Sequence, residues 1–97
     1  MPTYIALFKL TDQGAKEIKA TPDNIKQAFK GIEALGGKIK DFYAVRGEYD
    51  FVGIAEFPSD EVQMANVLSL ISRGGVRATL MRAFSLEEFT KIVNMLP

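Results

Sequence analysis

Two segments of the chain carry apolar side chains on both faces of an extended strand. The apolar residues of the first segment, residues 3–10, divide between the faces as Tyr4, Ala6, Phe8 and Leu10 against Ile5 and Leu7. Residues 49–57 are apolar in the same way in their middle part. A strand that is apolar on both faces is typical of a sheet with a covering layer on each side. The two segments therefore predict a sheet in which they are the central strands.

Two long helical patterns lie between the predicted strands. The first begins at Thr21-Pro22, where a capping hydroxyl and a proline suit the start of a helix, and ends at Gly36-Gly37. The second begins within residues 58–61 and ends at Gly74-Gly75. Residues 15–20 fit either a short helical turn or a loop. The predicted buried stripe of the second helix consists of Met64, Val67, Leu68 and Ile71.

The remaining segments complete a repeated strand–helix–strand order. Residues 38–45 form a more polar strand, which is typical of a sheet edge, and residues 76–84 form a fourth strand. Ser85 and Glu88 make a capping box at the start of a last helix. We expect this helix to turn its apolar side inward, with Phe89, Ile92, Val93 and Leu96.

The order β-α-β-β-α-β-α indicates an α+β protein, a ferredoxin-like plait followed by a C-terminal helix. Right-handed crossovers place the four strands in the antiparallel order 4-1-3-2, with both long helices on one face of the sheet. The chain contains no linker and no low-complexity stretch. We therefore expect a single domain over residues 1–97.

Two helices can cover only one face of this sheet. Whichever face they cover, the central strands offer apolar side chains to the other, and a bare face would be a patch of about several hundred Å². A second copy laid sheet to sheet would cover it and give a two-fold dimer. The alternative is that the last helix folds back over the same face.

The composition excludes several kinds of chemistry. The chain has no cysteine and no histidine, which excludes disulfides, Cys/His zinc sites and Ser-His-Asp triads, so we expect no metal and no cofactor. Its 12 basic and 12 acidic residues give zero net charge, whereas nucleic-acid binding needs a basic surplus. No segment has the pattern of a signal peptide or a membrane span, so we expect a cytoplasmic protein that binds neither nucleic acid nor membrane.

Several motifs resemble the GYD domain family of small bacterial and archaeal proteins. The strongest is Gly47-Glu48-Tyr49-Asp50-Phe51, and the resemblance extends over essentially the whole chain. The other matching segments are Pro2-Thr3-Tyr4, Leu35-Gly36-Gly37, Arg82-Ala83-Phe84-Ser85 and Glu87-Glu88-Phe89. The resemblance implies a dimeric α+β barrel, a superfamily that includes small monooxygenases, isomerases and effector-sensing domains. It implies no particular reaction.

A second resemblance is to the effector-binding domain of leucine-responsive regulators. In that domain too a Gly-x-Tyr-Asp turn precedes an apolar strand, and the run Gly75-Val76-Arg77-Ala78-Thr79 matches the start of its last strand. This chain shows no helix-turn-helix. The resemblance therefore implies a stand-alone sensor of an amino acid or a similar molecule.

Asp50 is the candidate catalytic residue. We expect it at the start of a central strand, on the same face as Val52. A desolvated carboxylate there would have a raised pKa, which suits proton abstraction. The alternative is that Asp50 caps the turn at Gly47 by accepting hydrogen bonds from backbone N–H groups. We expect Glu56 to be a solvated or ion-paired strand end, with Arg82 as its partner or as an anion anchor.

These observations lead to two functional hypotheses. The first is a small-molecule binding or sensing module that forms a homodimer, which could in turn build a higher oligomer. The second is a cofactor-free isomerase or monooxygenase-like enzyme that uses Asp50 and a tyrosine. The candidate ligand-binding residues are Tyr4, Tyr43, Gly47, Tyr49, Asp50, Thr79 and Arg82.

Overall fold

The sheet has the predicted strand order. The computed structural model describes residues 1–97. Its strands are β1 (Thr3–Leu10), β2 (Lys38–Ala44), β3 (Phe51–Glu56) and β4 (Val76–Ala83), all antiparallel in the order β2-β3-β1-β4. This is the order 4-1-3-2 read from the opposite edge. The two strands that are apolar on both faces, β1 and β3, are therefore central, as expected.

Helices fill most of the chain between the strands. They are α1 (Asp12–Lys16), a 3-10 turn (Ile18–Ala20), α2 (Thr21–Ala34), α3 (Asp60–Ser72) and α4 (Leu86–Val93). The 3-10 turn runs directly into α2, because the backbone N–H of Thr21 donates to the carbonyl of Ile18. Thr21 is therefore the first helical residue and not a side-chain cap. None of the helices combines the length and the apolar character that a membrane span requires.

One face of the sheet is covered by α2 and α3. Tyr4 and Phe57 are buried on this face, and their rings meet edge to face at 5.8 Å. Ile32 of α2 and Ala55 of β3 complete the buried cluster. The core therefore lies between the central strands and the two long helices.

The buried side of α3 differs from the predicted stripe. Val67 is buried as expected, but Met64, Leu68 and Ile71 are exposed, so the prediction was wrong for these three.

One attachment at the start of α3 accounts for the difference. The Ser59 hydroxyl caps the helix by accepting from the N–H of Val62, and the Tyr4 hydroxyl on β1 donates to the carboxylate of Asp60. The bond from Tyr4 holds the side of Asp60 toward the sheet. Helical periodicity then carries Gln63 and Val67 onto the same side.

The last helix also departs from the expectation. The capping box of Ser85 and Glu88 is present, but α4 makes no extensive contact with the sheet. The apolar residues predicted to face inward are between 40% and 69% exposed: Phe89, Ile92 and Val93 of α4, and Leu96 beyond its end. The radius of gyration is 14.8 Å, whereas a compact chain of this length has about 12.5 Å. The last helix therefore does not cover the second face.

The second face of the sheet remains open. One row across it joins Asp41, Ile54, Ile5 and Met81, and a neighbouring row joins Tyr43, Val52, Leu7 and Thr79. Charged residues flank these rows, with Lys9 and Arg77 at one end and the Lys40–Glu56 ion pair of 3.3 Å at the other. Only eight of the 97 residues are buried. This chain alone therefore covers one of the two faces of its sheet.

Candidate functional site

A cavity of about 360 Å³ lies between the helices and the sheet. It exists because α2 lies over β2 and α3 lies over β4, at opposite edges of the sheet. A space therefore remains above the central strands. Sixteen of the 25 residues that line it are hydrophobic, so its walls suit an apolar molecule.

Aromatic rings form one wall of the cavity. Phe29 and Phe42 meet edge to face at 5.4 Å, and Phe42 and Phe51 stack at 5.7 Å. Gly53 lies beside them on β3, where a methyl group would touch Phe42 at 3.6 Å and Phe8 at 3.8 Å. The rings support one another, which gives the cavity a preformed apolar surface.

Two side-chain amides on α3 face the cavity. Gln63 and Asn66 are 6% and 9% exposed, and both line the cavity. Neither side chain is hydrogen-bonded within the chain, and no side-chain polar atom is both fully buried and unpartnered. Their amide atoms are therefore open to the cavity. Amide groups that have no partner within the chain and are open to the cavity are free to hydrogen-bond to a bound molecule.

The charged residues of the cavity lie at its rim. Glu17 and Arg73 are the charged members of the lining, and both are exposed. The interior thus offers amides and apolar surface but no ionic group. Sequence reasoning missed this arrangement, because Gln63 and Asn66 interrupt the apolar periodicity of α3.

Tyr4 closes part of the cavity wall and is held in place. Its hydroxyl donates to Asp60, and the guanidinium of Arg82 lies 5.6 Å from its ring centroid. Burial, followed by the nearby Asp60 carboxylate, raises the pKa of Tyr4 to about 12. The hydroxyl therefore stays protonated and bonded to Asp60.

Asp50 is bound to the backbone of the neighbouring strand. Its carboxylate accepts from the N–H of Leu10 at 2.8 Å, and its own N–H donates to the carbonyl of Phe8 at 2.8 Å. Its carbonyl accepts from the N–H of Val45 at 2.9 Å. Asp50 therefore caps backbone groups, but on β1 rather than at the turn of Gly47.

The other candidate residues near Asp50 lie outside the cavity. Gly47 has a φ of 141° and open space around it. The ring of Tyr49 lies 5.8 Å from the ammonium of Lys9. This group stands at the end of the sheet near the start of β3.

The remaining candidates occupy two further places. Tyr43 and Thr79 lie at opposite ends of one row on the open face. Arg82 lies over the ring of Phe84 at 4.5 Å and donates to the carbonyl of Thr3, while Glu56 pairs with Lys40 instead. The structure therefore does not bring the seven candidates together, and of the seven it places Tyr4 alone in the cavity wall.

Comparison with known sequences gives a family and a relative. The family model described as the GYD domain matches residues 4–93. A protein of Thermus thermophilus, named glutamine synthetase and cystathionine beta-lyase binding protein, is 37% identical over 84 residues. The match covers 86% of this chain and 88% of that protein.

Comparison with solved structures finds the same fold. The structure of MtbAldR matches with a TM-score of 0.67 at 13% identity, over 87% of this chain and 52% of that one. This chain thus spans about half the length of MtbAldR. A hypothetical protein, PHS023 from Pyrococcus horikoshii, matches with a TM-score of 0.56 at 18% identity, over 88% and 92% of the two chains. Both share the small α+β fold with this chain.

The raised pKa of Tyr4 makes the stability of the fold depend on pH. A free tyrosine has a pKa of 10.0, whereas Tyr4 in the folded chain has a pKa of about 12. The folded state holds the proton more tightly, so the contribution of Tyr4 to the free energy of unfolding is complete below pH 10 and lost as the pH rises through 12. We expect urea denaturation to show a steeper loss of stability between pH 10 and 12 for the wild type than for Tyr4→Phe.

The control for this measurement is Tyr43→Phe. Tyr43 is 58% exposed, so its variant should keep the steep loss of the wild type. Identical pH dependence in the wild type and Tyr4→Phe would contradict the assignment.

Removing the Asp50 carboxylate should destabilise the fold. Asp50→Ala leaves the N–H of Leu10 without its acceptor, and we expect a loss of about 1–3 kcal/mol in the free energy of unfolding. Asp50→Asn keeps an acceptor oxygen and should lose less. Glu48→Ala, an exposed change in the same turn, should leave stability nearly unchanged in the same urea titration. Wild-type stability in Asp50→Ala would show that the bond to Leu10 contributes nothing.

Proposed function

Because the chain belongs to the GYD domain family, we propose that it is a small-molecule-binding module whose ligand occupies the cavity between its helices and its sheet. The observation that carries this proposal is the cavity itself, with about 360 Å³ of space, apolar walls and two unbonded amides. Ligand sites in proteins typically have about 300–1,000 Å³, mostly apolar walls and a few polar groups.

The proposed ligand site is formed by a single chain. Among the candidates of the sequence analysis, Tyr4 belongs to it through the cavity wall. Tyr43 and Thr79 belong instead to the open face, where we propose an interface role. The turn of Gly47, Tyr49 and Asp50 lies at the sheet end, where the bonds of Asp50 serve strand pairing.

We propose that the module acts in the cytoplasm as a homodimer joined through the open faces of two sheets. Support comes from the apolar centre of the two rows on that face, including Ile5, Ile54 and Met81, which no element of this chain covers. In a two-fold dimer both subunits contribute the same patch, so these rows would pack against the same rows of the second copy. The small core of the single chain also favours a second layer.

Protein binding is a second candidate function. The Thermus thermophilus relative is named as a protein that binds glutamine synthetase and cystathionine β-lyase. This chain has apolar side chains exposed on the outer side of α3, at Met64 and Leu68, and along α4. Exposed apolar stripes of this kind are typical of protein interfaces.

An enzymatic role through Asp50 and a tyrosine receives less support. The Asp50 carboxylate accepts a backbone hydrogen bond, and the Tyr4 hydroxyl is bonded to Asp60. The Asp50 carboxylate and the Tyr4 hydroxyl therefore do not meet at one position where a substrate could react. The geometry therefore favours binding over catalysis.

Filling the cavity tests the proposed function. Ala28 of α2 lines the cavity, so Ala28→Leu should occupy part of the ligand space. We expect a thermal-shift screen of metabolites to find compounds that stabilise the wild type by several degrees and that no longer stabilise Ala28→Leu. The measurement is the shift in melting temperature at saturating compound.

The matched control is Ala34→Leu, an exposed change on the same helix. It should respond to compounds as the wild type does. A screen in which no compound stabilises the wild type, or in which Ala28→Leu responds fully, would overturn the cavity site and favour protein binding.

A charge on the open face should separate the proposed dimer. Met81 lies on that face and is 42% exposed, so Met81→Glu places a carboxylate at the proposed interface without burying it in the single chain. We expect light scattering to give twice the 10.7 kDa chain mass for the wild type and a dissociation constant raised at least about tenfold in the variant.

Leu68→Glu is the control for this experiment. Leu68 is 57% exposed on the outer side of α3 and should tolerate a carboxylate without loss of the dimer. A monomeric wild type at micromolar concentration would contradict the dimer.

A further inference from the structure

The side of α3 that faces the cavity carries two amides one helical turn apart. We propose that Gln63 and Asn66 select an uncharged aromatic ligand by its amide-like edge, a group that donates and accepts hydrogen bonds side by side. This inference rests on the proposed function, because it assigns the chemistry of the same cavity.

The amide pair sets the hydrogen-bonding character of the ligand. Each side chain offers a carbonyl acceptor and an NH₂ donor, and their spacing of three residues places both on one side of the helix. A ligand group that only accepts would leave the carbonyl oxygens of Gln63 and Asn66 without donors. Against the mostly apolar walls of the cavity, a bound molecule that leaves such groups unpaired is disfavoured. A carboxamide or a lactam has both an acceptor oxygen and an N–H donor, so it can pair with the NH₂ groups and with the carbonyl oxygens of the two side chains.

The surroundings exclude a charged ligand group from the amide pair. The charged lining residues, Glu17 and Arg73, are exposed at the rim and carry opposite signs. A carboxylate or an ammonium beside Gln63 would lose its hydration without gaining a counter-charge. The group that meets the amides is therefore neutral.

The aromatic wall sets the body of the ligand. Phe29, Phe42 and Phe51 present ring edges and faces around the cavity, and Val67 of α3 lies beside the two amides. Flat aromatic molecules fit such a surface, because rings pair favourably edge to face or offset. The ligand class is thus an aromatic carboxamide or a ring lactam.

Three naphthalene derivatives test this selection by isothermal titration. Naphthamide donates and accepts, naphthyl methyl ketone only accepts, and naphthoate is charged. We expect naphthamide to bind the wild type about tenfold more tightly than either of the others. The double variant Gln63→Met and Asn66→Leu should bind the ketone at least as well as the wild type and lose the preference for the amide.

Gln27→Met is the matched control, because Gln27 is an exposed amide on α2 outside the cavity lining. It should keep the wild-type preference, and near-ultraviolet circular dichroism of all variants reports whether they fold.

Different failures have different meanings. If the probes bind and Ala28→Leu blocks them, but the wild type shows no amide preference or the double variant retains it, the selection by Gln63 and Asn66 is overturned and the cavity site stands. If no probe binds and the metabolite screen is also silent, the proposed function fails together with this inference.

Discussion

The architecture depends on a sheet whose two central strands are apolar on both faces. An apolar strand face exposed to water is costly, so each face requires a covering layer. This chain supplies α2 and α3 for one face and leaves the other open, while α4 stands away from the sheet. The burial of eight residues in 97 is the direct result. Both the cavity and the open face follow from how two helices are spread over four strands.

Much of the fold could be predicted from the sequence, because local patterns specify it. The run of residues 3–10, apolar on both faces of an extended strand, predicted the bounds of β1, and the capping box at Ser85 predicted the start of α4. The crossover rule then ordered the strands, since only one handedness is common. The family resemblance was confirmed by a match over residues 4–93.

The candidate site was harder to predict, because it depends on contacts between elements. The apolar stripe of Met64, Leu68 and Ile71 is a better helical pattern than the one that is buried. The Tyr4–Asp60 bond sets the helix rotation, and it involves residues outside the stripe. Asp50 posed a similar problem, because its partner Leu10 lies forty positions earlier in the chain. Periodicity reports the faces of one element and carries no information about such long-range bonds.

The two edges of the sheet are unlike. On β2 the pairing with β3 shifts between Ile39 and Asp41, which is the mark of a bulge at Lys40, whereas β4 pairs with β1 regularly along its whole length. A bulged, lysine-bearing edge is a poor template for another strand, and a regular edge is a good one. Head-to-tail growth into a fibril requires two receptive edges on every subunit, and this molecule has one. Strand addition at β4 by single chains would leave only the two bulged β2 edges, so this route by itself does not extend beyond a pair of chains.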